Sequence, residues 1–505
     1  MNFKYIHPSF LLLTAFSLPA CSSPVDYGKG AENFSPSQHL TNKDGENNHW
    51  MGIGEYKSRE HGSCTAFLID TNSSRPSDSA YALTSAHCVG KENGVMRLDD
   101  PIEASITFNN FIDTTAASRT VSLQKVAWSS IQGVDLALLE LGVSQGELLA
   151  QGITPMKLAR QAPAEDSDIL IVHKPVGSPL QMSACTHMPS PAIFEKPWVW
   201  RHTVSNQCKD IASGSSGSPV IVRATNEVYG VLGTLAHHLT PLPGYGQMPS
   251  GSYGSPTSVF NNCFIDGKLN TDPQVCELFP AASIRLPAQL PTHAKISVTA
   301  QGNYVYPEWN FEITASTRFI RTKRTSDPVE CEVPQAYSQP ITTGTAPTRI
   351  NVPMGPETGP SNLCIIATNS TEDILPAGTY RNAVTVPTYL VDAGPTPVPT
   401  IETSFNKEIN RALILWPERK NEGLDRYEVK GGLAEKVSCE DPQGYRHVTS
   451  NWLRPQSNFP LKLCVYAVDP NNQRSELKEY IWNGKRSKTA PPELTSNVGL
   501  VLLHQ

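Results

Sequence analysis

The 505-residue sequence predicts a mainly β protein of several domains. Three observations lead there. The length exceeds one ordinary domain, so roughly three units are expected. The 42 prolines, about 8% of the chain, stand above the usual ~5%, and the charged fraction of 17% falls below the usual ~25%. That composition suits short strands with Pro- and Ser-rich connections better than long helices. Third, apolar runs end on turn residues, as where Leu461–Val468 meets Asp469-Pro470-Asn471-Asn472. The net charge of −6 is mild and no basic cluster is present, which argues against a nucleic-acid partner.

The N-terminus reads as an export signal. Lys4 gives a weakly positive start, Phe10 to Leu18 forms a short apolar stretch, and Leu18-Pro19-Ala20-Cys21 closes it. The stretch is too short for a membrane span, which needs about 20 apolar residues. Leu18 and Ala20 before Cys21 resemble the bacterial lipobox, which implies that residues 1–21 are a lipoprotein-type signal and that Cys21 carries the lipid. The rival is ordinary cleavage after Ala20. Residues 22–49, poor in apolar side chains, are expected to form a flexible tether.

Three segments then supply chemistry. Leu83-Thr84-Ser85-Ala86-His87-Cys88 holds a histidine, Val134-Asp135-Leu136-Ala137-Leu138-Leu139 an aspartate, and Gly214-Ser215-Ser216-Gly217-Ser218-Pro219 a serine between glycines. His, Asp and Ser are the toolkit of acyl transfer: a hydroxyl nucleophile, an imidazole that takes its proton, and a carboxylate that orients the imidazole. Each segment alone has a plain alternative: a turn, a structural histidine beside a cysteine, a strand-edge charge. Coincidence of all three in the order His…Asp…Ser, 48 residues apart (87 to 135) and 81 apart (135 to 216), is a far smaller chance.

In this order and spelling, residues 50–292 resemble the trypsin-like (chymotrypsin-fold) serine proteases, in the bacterial branch that writes Gly-x-Ser-Gly-Ser-Pro. The resemblance implies two six-stranded β-barrels with the site between them. It implies that His87, Asp135 and Ser216 are the catalytic triad, and that the N–H groups of Gly214 and Ser216 form the oxyanion hole. It also suggests Asp210, six positions before Ser216, as a specificity carboxylate preferring Arg or Lys on the acyl side, with Gly233 on the substrate-lining strand. Digestive relatives place an Asp where this chain has Ser215, so activation by a new N-terminal amine is not expected. A Gly-, Pro- and Ser-rich stretch from about Thr240 to Pro280 reads as an insertion: an exosite, a lid or a decorative surface loop.

The chain has 11 cysteines, an odd number. Setting Cys21 aside leaves Cys64, Cys88, Cys185, Cys208, Cys263, Cys276, Cys331, Cys364, Cys439 and Cys464. Sequence alone leaves their connectivity open, and nearest-neighbour pairing is the expectation. The family resemblance supports 64–88 and 185–208. No Cys-x-x-Cys spacing occurs, so no metal or other cofactor is expected. A disulfide set points to an oxidising, extracytoplasmic compartment, with the chain lipid-anchored to a bacterial membrane or cell surface, or secreted.

Two smaller β-sandwich domains are expected at 294–393 and 403–485, the size of immunoglobulin-like modules. The second resembles fibronectin type III, with Trp416 as its core aromatic. Both place a cysteine in a late strand and another 25–33 residues earlier, which suggests a diverged duplication. Gly394-Pro395-Thr396-Pro397-Val398-Pro399 is a stiff linker between them. The function expected is an extracytoplasmic serine endopeptidase acting on proteins or peptides. The alternative is a surface-binding or adhesion lipoprotein with an inactive protease fold, its C-terminal modules engaging a surface protein or glycan.

Overall fold

The computed structural model describes residues 27, 35–189, 192–236, 251–400, 402–406, 411–415, 424–448, 452–453 and 460–482. The export signal, Cys21 and Trp416 lie outside them. Among the described residues, no helix is long and apolar enough to cross a membrane.

The first barrel uses β2 (Ile53–Ser58), β3 (Gly62–Ile69), β4 (Ser79–Thr84), β6 (Ala104–Phe108), β7 (Arg119–Ser130) and β8 (Leu136–Ser144), with β5 (Arg97–Asp100) added beside β7. Hydrogen bonding runs β6-β2-β3-β4-β8 and closes through β7. Alternation along these strands turns Tyr56, Ala66, Leu68, Ala82, Ile106 and Leu139 into one core. The second barrel closes in the same way from β9 (Asp168–His173), β10 (Gln181–Pro189), β13 (Val204–Asn206), β14 (Pro219–Val222), β15 (Glu227–Leu235) and β16 (Ser252–Pro256). Between β10 and β13 stands a hairpin of β11 (Ile193–Glu195) and β12 (Trp198–Trp200).

The tether expected over 22–49 is corrected from residue 35 on, about half its length, and residues 22–26 and 28–34 lie outside the described ones. Residues Ser35–His39 form β1, which pairs antiparallel with β10 and joins the second barrel. The backbone amides of Asn42 and Lys43 then donate to the Asp113 carboxylate, and Leu40 and Trp50 enter the core. A free edge on β10 gives this polar segment backbone partners that its composition does not reveal. The insertion expected at 240–280 is also corrected from residue 251 on, and residues 240–250 lie outside the described ones. Ser252–Pro256 is a barrel strand bonded to both β13 and β15. The stretch after it, with the Cys263–Cys276 bridge, packs Val259, Phe260 and Leu278 into the core shared by the barrels. Phe260 meets Trp128 edge-on at 6.1 Å. That packing makes it a seal on the first barrel.

A β-sandwich follows, with Thr348–Pro353, Glu308–Ala315 and Ile284–Arg285 in one sheet and five strands in the other, including Phe319–Thr325, Gly359–Thr368 and Val384–Val391. Its core takes Trp309, Ile320, Leu363 and Val386, and also Ala282 and Ile284, so the boundary expected at 292 lies about ten residues too late. Beyond it, the described residues between 402 and 482 form a three-stranded and a four-stranded sheet. A buried Lys295–Asp469 ion pair at 2.7 Å, with Thr396 also on Asp469, joins the two modules.

All five bridges expected from neighbour pairing are present: 64–88, 185–208, 263–276, 331–364 and 439–464. Around the last two the modules repeat one arrangement. Lys323 pairs with Cys364 and Lys430 with Cys464 across adjacent strands. Each lysine lies over a tyrosine ring, Tyr337 at 5.6 Å and Tyr445 at 5.7 Å. Each tyrosine hydroxyl donates to the carbonyl of the cysteine six residues before it.

Candidate active site

His87 stands on a single 3-10 turn, Ala86–Cys88, directly after β4. The Cys64–Cys88 bridge ties that turn to β3. Asp135 immediately precedes β8, and Ser216 lies in the turn that leads into β14. His87 and Ser216 line a cleft of about 660 Å³ between the barrels, with Asp135 bonded to His87 from behind. Asp135, 4% exposed, holds the histidine through both oxygens: one accepts the His87 backbone N–H at 2.9 Å, the other meets Nδ1 at 2.7 Å. Its own N–H donates to the Ser255 hydroxyl at 2.8 Å. Burial opposes charge on His87, but the Asp135 carboxylate outweighs it and holds the imidazole pKa above its ordinary 6.5. The Ser216 hydroxyl donates to the Gly233 carbonyl at 3.4 Å, a long bond.

Two glycines shape the turn. Gly217 has φ +85°, and a Cβ there would sit 2.1 Å from both the Thr65 carbonyl oxygen and the Thr84 hydroxyl. Gly214 has φ +92° and lies against the Lys174–Val176 backbone. The Ser213 carbonyl accepts from Val176 N–H at 3.0 Å. In a trans peptide the N–H opposes the C=O, so the Gly214 N–H turns away from Val176. The first barrel steadies this turn: the Thr65 hydroxyl donates to the Gly214 carbonyl at 2.9 Å, and Thr65 N–H donates to the Ser216 carbonyl at 2.8 Å.

Ser215 is held by a residue that sequence reasoning missed. His173, fully buried, sets Nδ1 2.8 Å from the Ser215 hydroxyl and Nε2 2.9 Å from the Ser37 hydroxyl of β1. Burial drives its pKa down to about 4, so it is neutral here. Asp210 requires a correction. It is exposed, its carboxylate accepts the Ser37 backbone N–H at 3.0 Å, and it does not line the cleft. Its left-handed backbone, φ +61°, and the arrival of β1 turn it outward. Gly233 does line the cleft, and it has a second effect: a Cβ there would stand 3.0 Å from the Asp135 carboxylate. Glu195, Trp198 and Trp200 also line the cleft, and no motif in the sequence announced them. Cys64, His87 and Cys88 cluster as metal ligands do, but both sulfurs are joined in a disulfide.

Two closed six-stranded barrels with a His–Asp pair and a serine turn in the cleft between them define a chymotrypsin-like fold. Residues 64–231 match the family model of the trypsin-like peptidase domain. Among solved structures, the active form of the Rv3671c protease from M. tuberculosis is 15% identical over 41% of this chain and 77% of its own, with a TM-score of 0.28. Deg5 is 12% identical over 41% and 85%, TM-score 0.28. Human heparin binding protein is 14% identical over 44% and 92%, TM-score 0.30. No curated protein matches the chain.

Proposed function

We propose that the protein is an extracytoplasmic serine endopeptidase that cleaves proteins or peptides through an acyl-enzyme on Ser216. The observation that carries this reading is the two-point grip of Asp135 on His87 in the cleft that also holds Ser216. His87 takes the Ser216 proton as the hydroxyl oxygen attacks the substrate carbonyl, and the imidazolium is stabilised by Asp135. The oxyanion is met by the N–H groups of Gly214 and Ser216, and a donor of this kind is worth about 10²–10³ in rate. His87 then returns its proton to the leaving amine, and water repeats the sequence to release the acyl group.

The five disulfides support an oxidising compartment. Anchoring through a lipid on Cys21 is part of the same proposal, resting on the sequence before that cysteine. The test is labelling with a fluorophosphonate probe, which reacts quickly only with an activated serine. Wild-type protein should label at Ser216 and the Ser216→Ala variant should not. An unlabelled wild type would favour the binding-lipoprotein alternative.

A further inference from the structure

The β11–β12 hairpin is two-faced. Phe194 and Val199 lie opposite each other and pack, with Ala192, on Val329 and Tyr389 of the first C-terminal sandwich. Ile193 and Trp200, together with Trp198, turn to the protease domain against Ala86 and Tyr253. Glu195, paired across the hairpin with Trp198, therefore stands at the cleft, where its charge is felt by both His87 and Asp135. Its carboxylate accepts the Trp200 indole N–H at 3.0 Å and a hydrogen bond from the Thr234 side chain. Those donors fix its direction without neutralising it. Among the described residues, no lysine or arginine forms an ion pair with it, although the cleft shields it enough to push its pKa up. The two indoles beside it stack at 5.8 Å and 20°. Lys91 also lines this cleft, and the charges of both Lys91 and Glu195 are felt by His87.

We propose that Glu195, with the stacked indoles of Trp198 and Trp200, binds a cationic side chain, lysine or arginine, of a substrate residue flanking the bond to be cut. This inference rests on the peptidase reading above. A carboxylate held by two neutral donors in a partly dehydrated wall gains most from a charged partner brought by the ligand. Indole faces favour the same class of side chain, through its aliphatic stem and through the cation itself. The wall is also rigid from behind. Arg201, 1% exposed, leaves the end of the hairpin and enters the sandwich, where it meets Glu332 at 2.9 Å, the Thr385 hydroxyl at 2.9 Å and the Ala383 carbonyl at 3.0 Å. Its backbone N–H donates to the Gly133 carbonyl, two residues before Asp135. A subsite held on both faces loses little entropy when a ligand arrives.

The test uses the full chain carrying Ser216→Ala, which binds without turnover. Acetylated tetrapeptides in which one lysine is walked along the sequence are titrated by calorimetry against counterparts with norleucine, equal in length and uncharged. At one position the lysine peptide should bind about tenfold more tightly, and this advantage should shrink with added salt. Glu195→Gln should bring the ratio close to one, and Glu195→Lys should turn the preference toward glutamate. Equal binding of lysine and norleucine at every position overturns the proposal, as does a lysine advantage that survives Glu195→Gln. If Glu195 only supports His87, Glu195→Gln in the chain that keeps Ser216 shifts the pH–rate profile for all peptides while the binding ratio stays unmoved, which also overturns it. Fluorophosphonate labelling keeps the two readings apart. Lysine preference without labelling removes the peptidase reading alone, and labelling without preference removes the subsite alone.

Discussion

Ser216 has little to do with packing. Its hydroxyl makes one long bond and its carbonyl one short bond to β3, so Ser216→Ala should fold normally and lose about 10⁴-fold or more of its peptidase rate. Asp135→Asn should lose a comparable factor, because an amide presents the wrong partner to Nδ1. The pH dependence follows from the direction of the His87 shift. The base must be neutral to accept a proton, and Asp135 holds the proton on above pH 6.5, the ordinary value. Activity should therefore fall on the acid side with an apparent pKa above 6.5, at a pH where a free imidazole would still be mostly neutral. Rate measurements on one peptide amide across that range check it. An acid limb below 6.5 would contradict the assignment of His87. At the same scale, Asp210→Ala should leave cleavage preference unchanged, because its carboxylate serves Ser37 and faces away from the cleft.

At the scale of elements, β1 and the serine turn are joined through one imidazole. His173 is neutral when folded, with a pKa of about 4, but titrates near 6.5 once exposed. The unfolded chain thus binds more protons between those values, so this contribution is full above pH 6.5 and is lost as pH falls toward 4. One pKa unit corresponds to about 1.4 kcal/mol, so the loss approaches about 3 kcal/mol. Denaturant unfolding of the second barrel at neutral and acid pH should show it, and His173→Gln should remove most of the difference. An unchanged acid sensitivity in that variant would place the titrating group elsewhere. The same element explains why the tether reading failed. A strand is stable on an existing barrel edge even when its own sequence, Ser-Pro-Ser-Gln-His, carries no apolar alternation.

For the whole molecule, the first sandwich is part of the catalytic unit's frame. Besides Arg201, the protease domain is bound to it through Gly94 and Met96 to the 283–284 segment, and through Asn382 to the Leu278 and Pro280 carbonyls. Burial disfavours charge on Glu332, but His202 and Arg201 overcome it and hold its pKa down at about 2. Arg201→Leu leaves that carboxylate buried beside a weaker partner, and removal of one member of such a pair costs about 3–5 kcal/mol. Thermal unfolding should show a lowered midpoint, and peptide hydrolysis a raised KM with a smaller change in kcat, since the hairpin wall loosens while the triad is untouched. A shift in kcat alone would show that the sandwich does not act through the cleft wall.

Residues set in a local motif were legible in the sequence as candidates. His87, Asp135 and Ser216 each announce themselves by a polar residue set in apolar strands or between glycines, and their order carries the barrels with it. The cysteines were legible for a related reason, since short loops favour neighbour pairing. The Cys-x₅-Tyr spacing that repeats at Cys331–Tyr337 and Cys439–Tyr445 was also present to be read. Asp210 shows the limit. Its offset from Ser216 was correct for a pocket carboxylate, yet a left-handed backbone and the amide of Ser37, 173 residues away, decide where it points. His173 gains meaning only through Ser215 and Ser37, 42 and 136 residues away, and the hairpin of Glu195, Trp198 and Trp200 is set at the cleft by its packing on Ala86 and Tyr253. Such partners are chosen by barrel closure and by the packing of a second domain, and no local pattern records them.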